Sequence, residues 1–489
     1  MSINVSTLIT FIAYLGAMLW IGVWAYRKTN DLSDYILGGR SLGAWPSALS
    51  AGASDMSGWL LLGMPGYAYA AGWEASWLGG GLLLGTYLNW LVVAPRLRDY
   101  SEAAGNSLTL PQYFSNRFND KVLIRSISAI FILLFFLFYT SSGLVAGGKL
   151  FETVFGLDYT MAVTIGTIAV VSYTFFGGFL AVSWTDLVQG LLMAAALVIV
   201  PIAAFSAVGS GPNELLLAKN PELLDAFSKA DGSTLGWMGI VSLAAWGLGY
   251  FGQPHILARF KAIKSRADIP QARRIAVSWT FIGLVGAFLV GVAGIGYFDT
   301  PLADSETVFM DLVQALFHPL VAGILLAAIL AAIMSTADSQ LLVSSSALTE
   351  DIYKELFNKE ADDALLVKIG RFAVAGIAVI AWALALNPDS SVLGLVSYAW
   401  AGFGAAFGPA VILSLFWSRM NRYGCLAGIL VGGITVVVWK QLSGDMFELF
   451  DLYEIVPGFI FATIAIVGVS LATAEPEEEL LQTFNDVNG

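Results

Sequence analysis

The sequence has few charged side chains for its length. Charged residues make up 12% of its 489 residues, against about 25% in an ordinary soluble domain. It also contains only one cysteine, Cys425, and two histidines. This scarcity excludes a disulfide framework and leaves little for a metal centre built on thiolate or imidazole. No GxxxxGKS or GxxxxGKT sequence occurs, so the chain gives no indication of a nucleotide site that would drive work by ATP hydrolysis.

Long apolar runs make up much of the chain. Hydrophobic residues make up 57% of the chain and the mean hydropathy is +0.75. A bilayer core of about 30 Å is crossed by about 20 apolar residues in a helix. The sequence therefore predicts an all-α polytopic membrane protein. The first run, ending at Tyr26, has no Lys or Arg before Arg27, so we interpret it as a retained span rather than a secretory signal.

Thirteen segments are apolar enough to be interpreted as membrane spans. They lie near residues 6–26, 44–69, 76–95, 126–148, 159–181, 187–208, 235–256, 275–298, 318–347, 371–387, 392–417, 424–439 and 455–473. The segments near 44–69 and 318–347 exceed a straight span, so we expect them to bend or to continue into surface helices.

The distribution of basic residues predicts the orientation of these spans. If the amino terminus lies outside, 20 of the 24 Lys and Arg residues fall in inner loops, as the positive-inside rule expects. The exceptions are Lys149, Lys219, Lys229 and Lys440. With thirteen spans the carboxyl terminus is then cytoplasmic. We expect residues 474–489, which are acidic, to form a short and loosely ordered tail.

Span 2, "ALSAGASDMSGWLLLGMPG", and span 7, "WMGIVSLAAWGLGYFGQPHI", differ from the other spans because they mix Gly, Ser and aromatic residues. Each has a proline toward its far end, Pro65 and Pro254. Interrupted helices at corresponding positions, running in opposite directions, are typical of transporters built from inverted repeats. This pattern predicts a first repeat over 44–208 (spans 2–6) and a second over 209–417 (spans 7–11). Residues 1–43 and 418–473 would be peripheral. The alternative is that these glycines only allow close helix packing.

Asp55 is the one charged residue between Arg40 and Glu74, within "SAGASDMSGW". An ionised carboxylate at membrane depth costs several kcal/mol unless it is compensated, and such residues usually have a function.

Seven motifs stand out along the chain: "DYILGGRSLG", "ALSAGASDMSGWLLLGMPG", "LTLPQYF", "YTFFGGFLAVSWTD", "WGLGYFGQPHILARF", "AAIMST" and "LGLVSYAWAGFGAAFGP". Together they resemble the motifs of the sodium/solute symporter family. The resemblance covers essentially the whole chain, and the span 2 and span 7 blocks are similar to the proline-transporting branch.

Membership would imply a LeuT-like five-plus-five inverted repeat with helices 2 and 7 broken, in a bacterial cytoplasmic membrane. It would also imply alternating access that couples inward sodium flow to L-proline uptake. The expected partners are L-proline, sodium ion and the lipid bilayer, with no nucleic acid and no obligatory protein partner. No cofactor is implied beyond the co-transported sodium ion.

The resemblance also implies a sodium site. Its five oxygens would be the carbonyls of Ala53, Met56 and Ala332 and the hydroxyls of Ser335 and Thr336. Oxygen ligands suit a hard cation. The alternative is that both hydroxyls only bond the carbonyls of their own helix.

Three charged residues are implied to serve the sodium path and its coupling. They are Asp55, Asp186 at the inner end of span 5, and Arg40 at the inner end of span 2. For Asp186 an ordinary helix-end carboxylate is the alternative.

The implied substrate site joins span 2 to span 7. Amides near Ser57 and Gly58 would bind the proline carboxylate. Trp246, Tyr250 and Pro254 are spaced i, i+4 and i+8, so they form one stripe if the segment stays helical. The two aromatic residues would form an apolar wall, and Tyr139 on span 4 is a further candidate. The alternative is that the stripe packs or anchors the span in the interface.

The sequence leaves other functions of the protein open. The nearest is symport of a different small solute by the same kind of protein. A membrane sensor or channel is a second, and a sensor would be expected to carry a large signalling domain after its last span. An enzyme is disfavoured because no nucleophile–base or metal constellation is visible.

Overall fold

The computed structural model describes residues 5–26, 36–174, 178–444 and 447–488. These residues form helices, and the only β contacts among them are isolated bridges at Leu42–Ile263 and Ser228–Thr234. Within this part of the chain, ten helices are long and apolar enough to cross a membrane. The predicted all-α membrane class is confirmed. Arg27, Lys28 and residues 175–177, the centre of "YTFFGG" within the span predicted near 159–181, lie outside the described residues.

The first half of the chain supplies eleven α-helices to this description. They are α1 Val5–Tyr26, α2 Ala44–Asp55, α3 Gly58–Leu61, α4 Gly63–Ala71, α5 Ala75–Leu88, α6 Ala94–Ala103, α7 Leu110–Phe118, α8 Leu123–Phe155, α9 Tyr159–Thr174, α10 Phe179–Val208 and α11 Pro212–Lys219.

The second half continues the numbering. It contains α12 Gly236–Ala244, α13 Pro254–Ala262, α14 Ile269–Tyr297, α15 Val308–Leu316, α16 Pro319–Ser346, α17 Asp363–Ala385, α18 Val392–Phe416, α19 Arg422–Leu442, α20 Ile455–Ala472 and α21 Glu478–Asn488. A 3₁₀ segment, Ala245–Gly252, connects α12 to the extended residue Gln253 before α13. A π-helical segment, Ala347–Phe357, follows α16.

The core surrounds α16, which is buried along most of its length. It packs against α2, α8 and α10. The 3₁₀ segment packs between α5 and α18. This contact is backbone to backbone, because a Cβ added at Gly85 would lie 2.3 Å from the Gly247 carbonyl oxygen. Glycine at position 85 therefore allows the backbone of the 3₁₀ segment to contact the backbone of α5 directly.

Local sequence explains where α2 and the 3₁₀ segment end. Met56 leaves the helical region at φ −85° and ψ 79°, and Ser57 is extended and caps α3. Gln253 is extended at φ −77° and ψ 109°, as expected for a residue that precedes proline. Pro254 then starts α13, where its missing N–H leaves no hydrogen bond unmade.

Two sequence expectations about single residues are wrong. Asp186 does not lie at the inner end of span 5, because it lies inside α10, two turns after its first residue. Extended Gly178 precedes α10, so the helix begins well before the polar "SWTD" sequence. Trp246, Tyr250 and Pro254 do not form one α-helical stripe, since a 3₁₀ turn aligns residues three apart and Gln253 separates Pro254 from the other two.

The acidic tail is also more ordered than expected. It forms α21, which packs against α6. Phe484 is 7% exposed, and its ring lies 6.2 Å from that of Tyr100 and 5.1 Å from the Arg117 guanidinium carbon. Leu480, Phe484 and Val487 share one helical face, so the segment is amphipathic. The prediction of a loosely ordered tail was wrong because it considered only the acidic composition.

This packing yields a first testable expectation. Replacing Phe484 with Ala removes the buried ring and should speed hydrogen–deuterium exchange over residues 478–488 by about tenfold, the effect of losing about 1.4 kcal/mol. The matched control is Asn485→Ala on the exposed face of α21. Equal exchange in both variants would show that Phe484 does not hold the helix.

Candidate functional site

The carboxyl end of α2 is held by hydroxyl groups of α16. The carbonyl of Ala53 accepts hydrogen bonds from Ser335 Oγ at 2.8 Å and from Thr336 Oγ1 at 3.2 Å. Ser335 Oγ also lies 3.2 Å from the carbonyl of Ala332. All four residues are buried. Four of the five residues expected to form a cation site therefore lie together, and their hydroxyls reach across to another helix.

Met56, the fifth residue of that set, is buried beside them at the end of α2. Its N–H closes the helix on Gly52 at 2.9 Å. The hydroxyls of Ser335 and Thr336 are directed to other carbonyls. Met56 has non-helical φ and ψ, so its carbonyl lies outside the hydrogen-bond pattern of α2. That oxygen is therefore available for another contact.

Asp55 lies between Ala53 and Met56 and faces the 3₁₀ segment. Its Oδ2 accepts a 2.6 Å hydrogen bond from the Tyr250 hydroxyl. Its backbone carbonyl accepts one from Tyr139 at 2.9 Å and another from the Trp59 indole at 3.2 Å. The carboxylate is 2% exposed. Oδ1 has no hydrogen-bond partner and Asp55 has no ion pair within the described part of the chain. The Asp55 carboxyl therefore has no counter-ion in this part of the chain.

Asp186 belongs to a second buried cluster one helical turn further toward the start of α2. Its Oδ2 accepts hydrogen bonds from Ser50 at 2.6 Å and Ser54 at 3.0 Å, and from Arg259 Nη2 at 3.3 Å. The same Arg259 nitrogen donates to Ser339 Oγ at 2.5 Å. This arrangement replaces the helix-end alternative for Asp186 with a buried ion pair that joins α2, α10, α13 and α16.

Sequence reasoning missed the other members of this cluster. Ser50 and Ser54 are four residues apart on α2, and Ser335 and Ser339 are four apart on α16, so each pair shares one helix face. Two facing pairs of hydroxyls were a usable signal. No sequence signal identified Arg259 as part of the cluster, since it also fits a group of basic residues in an inner loop.

Arg40 lies apart from both clusters. It follows Gly39 in a short 3₁₀ turn before α2 and has φ 52°. Its guanidinium donates to Asn106 Oδ1 at 2.8 Å, to the Lys261 carbonyl at 2.7 Å and to Ser101 Oγ at 3.1 Å. Arg40 therefore ties the entry to α2 to the end of α13 and to the loop after α6.

The expected substrate residues are only partly brought together. Tyr250 reaches Asp55, and its ring meets Trp400 edge-on with centroids 5.0 Å apart. Trp246 stacks on Tyr453 at 5.5 Å, and its carbonyl accepts a 2.7 Å hydrogen bond from the Trp400 indole. Trp400 and Tyr453 were not anticipated, because isolated aromatic residues in membrane spans and loops are common.

The remaining candidates lie on either side of this aromatic group. Ser57 caps α3 through a 3.5 Å contact from the Trp59 amide. A Cβ at Gly58 would lie 2.7 Å from Ala146 Cβ, so glycine lets α3 pack against α8. Pro254 lines a separate small cavity beside Lys261 and does not share the aromatic wall.

Residues 35–432 match the sodium:solute symporter family. The chain belongs to that family. The family consists of transporters, so the enzyme alternative is discarded.

Its curated relatives span nearly the whole chain. A "Sodium/proline symporter" of Escherichia coli is 51% identical over 100% of this chain and 97% of the relative. The "High-affinity proline transporter PutP" of Bacillus subtilis is 50% identical over 96% and 98%. These relatives are bacterial, and the chain is a multi-pass membrane transporter like them.

Solved structures support the fold. A sodium-coupled sialic acid symporter in a substrate-bound outward-open state matches 96% of this chain and 99% of its own, with a TM-score of 0.79 and 20% identity. Mhp1, a nucleobase-cation-symport-1 family transporter, matches 94% of this chain with a TM-score of 0.57 and 13% identity. These likenesses confirm a LeuT-like helical transporter fold and carry nothing about substrate.

The hydroxyl contacts to α2 give a second expectation. Ser335→Ala and Thr336→Ala should each raise the half-saturating sodium concentration for uptake about tenfold, because each removes one oxygen from a small cation site. Ser346→Ala is the matched control, since its buried hydroxyl donates to the Leu342 carbonyl of its own helix at 2.8 Å. If the two variants keep the sodium dependence of the control, sodium does not bind there.

Proposed function

We propose that this protein is a sodium:proline symporter that uses inward sodium flow to accumulate L-proline. The observation that carries the proposal is identity of about 50% with sodium/proline symporters along essentially the entire chain. The sodium-coupled class follows from the family. The buried carbonyl and hydroxyl oxygens at the end of α2 are of the type that a hard monovalent cation requires. L-proline and sodium are the transported partners, and no further cofactor is implied.

We infer an architecture of thirteen spans. Span 2 consists of α2, α3 and α4 interrupted at Met56 and Ser57, and span 7 consists of α12, the 3₁₀ segment and α13 interrupted at Gln253. Spans 2–6 (44–208) and 7–11 (209–417) form the two inverted repeats. Residues 1–43 and 418–473 are peripheral, and 474–489 form the cytoplasmic tail. The amino terminus lies outside, which the basic inner loops support.

The proposed sodium ligands are the carbonyls of Ala53, Met56 and Ala332 and the hydroxyls of Ser335 and Thr336. Support comes from the hydrogen bonds that already bring Ser335 and Thr336 to the Ala53 carbonyl. A hydroxyl both donates and accepts. When a cation enters, the two hydroxyls rotate their protons away and present lone pairs, while the carbonyl turns from accepting hydrogen bonds to binding the ion.

The proposed substrate pocket lies on the other side of Asp55. Amides near Ser57 and Gly58 bind the proline carboxylate at the start of α3, where the Ser57 N–H now donates to the Asp55 carbonyl at 3.1 Å. Trp246 and Tyr250 form the wall for the ring, and Tyr139 fixes the Asp55 backbone between the two sites. Pro254 fixes the start of α13, beyond the aromatic wall, and does not contact the substrate.

Coupling is proposed to run through α2, since sodium and substrate both act on its last turn. Sodium at the Ala53 carbonyl orients Asp55, whose carboxylate is bonded to the substrate-wall residue Tyr250. Asp186 holds the preceding turn of α2 through Ser50 and Ser54 and lies on the path toward the cytoplasm. Arg40 holds the inner entry to α2. A movement of α2 between outward and inward states therefore changes contacts at all three charged residues.

Proline accumulation is energetically reasonable with one sodium ion. Entry of one positive charge across 100 mV releases about 2.3 kcal/mol. A tenfold sodium gradient adds about 1.4 kcal/mol, and the sum supports accumulation of roughly several-hundred-fold.

Transport by membrane vesicles tests the function directly. Labelled proline should accumulate when an inward sodium gradient is imposed without ATP. Replacing sodium with choline at the same membrane potential and proton gradient should abolish accumulation. Equal initial rates in the two buffers would exclude sodium symport. Sodium-dependent uptake of another solute that excess proline does not inhibit would identify a different substrate in the same family.

The Tyr250–Asp55 contact provides a test of coupling. Tyr250→Phe should raise the half-saturating concentrations of both proline and sodium by about tenfold, since a hydrogen bond to a charged group contributes about 1.5–3 kcal/mol. Tyr113→Phe is the control, because its buried hydroxyl bonds Ser414 at 3.0 Å away from the site. An effect on proline alone would place Tyr250 in the wall but outside the coupling route.

A further inference from the structure

We propose that a cavity between α4, α5, α11 and α14 binds one phospholipid with an amine headgroup, of the phosphatidylethanolamine class. Its volume is about 650 Å³, within the range of about 300–1,000 Å³ found for small-molecule sites. Met64, Leu83, Phe288 and Leu289 are among the residues that line it. None of the residues assigned to sodium or proline lies in this cavity, so it is a separate site.

Glycines create the space on one side of the cavity. Gly79 and Gly80 of α5 both line it. A Cβ added at Gly80 would meet no atom within 4 Å, and one at Gly79 would meet only Met64 Cε at 3.5 Å. The opposite wall is the face of α14 from Phe281 to Leu289, which is about 12 Å long at 1.5 Å per residue. An elongated apolar space of this size suits a segment of an acyl chain.

The side opening of the cavity faces the apolar surface of the protein. Phe281 and Val285 line the cavity and are 52% and 38% exposed. Both lie in the middle part of α14, a helix apolar enough to span the membrane. At that depth the surrounding medium is hydrocarbon rather than water. Lipid chains therefore have direct access to the space, whereas a polar metabolite does not.

The polar end of the cavity determines the headgroup. It is formed at α11, where Asn213 Oδ1 accepts a 3.1 Å hydrogen bond from the Trp73 indole. The exposed Glu214 carboxylate accepts from the Gly211 amide at 3.1 Å and has no ion pair among the described residues. An indole at the rim is typical of a membrane interface. The unneutralised carboxylate favours an ammonium headgroup over an anionic one.

The position of the cavity predicts an effect on transport. Met64 lies on α4, the continuation of the α3 segment that begins at the proposed proline site. A lipid chain against Met64 and α14 therefore stabilises one packing of the second half of span 2. Because α4 belongs to span 2, whose α2 segment is proposed to move during transport, occupancy should alter the maximal uptake rate more than the affinity for proline. This consequence rests on the proposed function, whereas the binding site does not.

The binding test uses the full-length protein in vesicles containing a phosphatidylethanolamine with a photoreactive acyl chain. After irradiation, peptide mass spectrometry should place most adducts on the cavity residues of α5 and α14. Gly80→Leu fills the space and should reduce adduct formation at least fivefold. The matched control is Gly468→Leu, because Gly468 is also an exposed helical glycine with no atom within 4 Å of an added Cβ. Equal labelling of both variants, or labelling spread evenly over the exposed surface, overturns the site.

The headgroup is tested by competition. Unlabelled phosphatidylethanolamine should reduce the adducts several-fold more than the same amount of phosphatidylglycerol, and Glu214→Gln should remove that difference. Equal competition by the two lipids in the unmodified protein overturns the amine preference. These readouts do not depend on transport, so they remain valid if the protein proves to carry a different solute. Failure of proline uptake would refute the proposed function but would leave the lipid-site proposal unaffected.

Discussion

The rest of the site depends on how α2 ends inside the protein. A helix that stops at Asp55 leaves its last carbonyls without helical partners, and at membrane depth such groups must be satisfied by other protein atoms or by a bound ion. The Ala53 carbonyl is satisfied by Ser335 and Thr336. The Asp55 carbonyl is satisfied by Tyr139 and Trp59. We propose that a cation bound at this interruption replaces some of these hydrogen bonds.

The same constraint bears on two of the buried carboxylates, Asp186 and Asp55. Asp186 is neutralised in place by Arg259 and two serine hydroxyls. Asp55 has only the Tyr250 hydroxyl and keeps one oxygen unpaired within the described residues. A buried charge without a counterion is costly. Asp186 has its counterion in Arg259, whereas Asp55 has none among the described residues, and we propose that Asp55 acts in the sodium path.

Much of this organisation could be predicted from the sequence because it depends on local patterns. Apolar runs indicated the helices, and Gly, Ser and Pro in two spans indicated where backbone leaves the α-helix. The resemblance supplied Ser335, Thr336 and Ala53, which the structure brings into contact. The sequence did not reveal Arg259 as the partner of Asp186, since ion pairing between distant helices leaves no local pattern. Nor did it reveal that Ala245–Gly252 is a 3₁₀ segment, because that geometry follows from close contact of Gly247 with Gly85 on another helix.

We propose that the end of α2 links sodium binding to substrate binding. Binding linkage requires that saturating proline raise the affinity for sodium by the same factor by which saturating sodium raises the affinity for proline. Both factors can be measured by calorimetric titration of the purified protein, each ligand being titrated with and without the other. If the end of α2 links the two sites, both factors should be equal and about tenfold or more in the unmodified protein. A sodium affinity that is the same with and without saturating proline would contradict it.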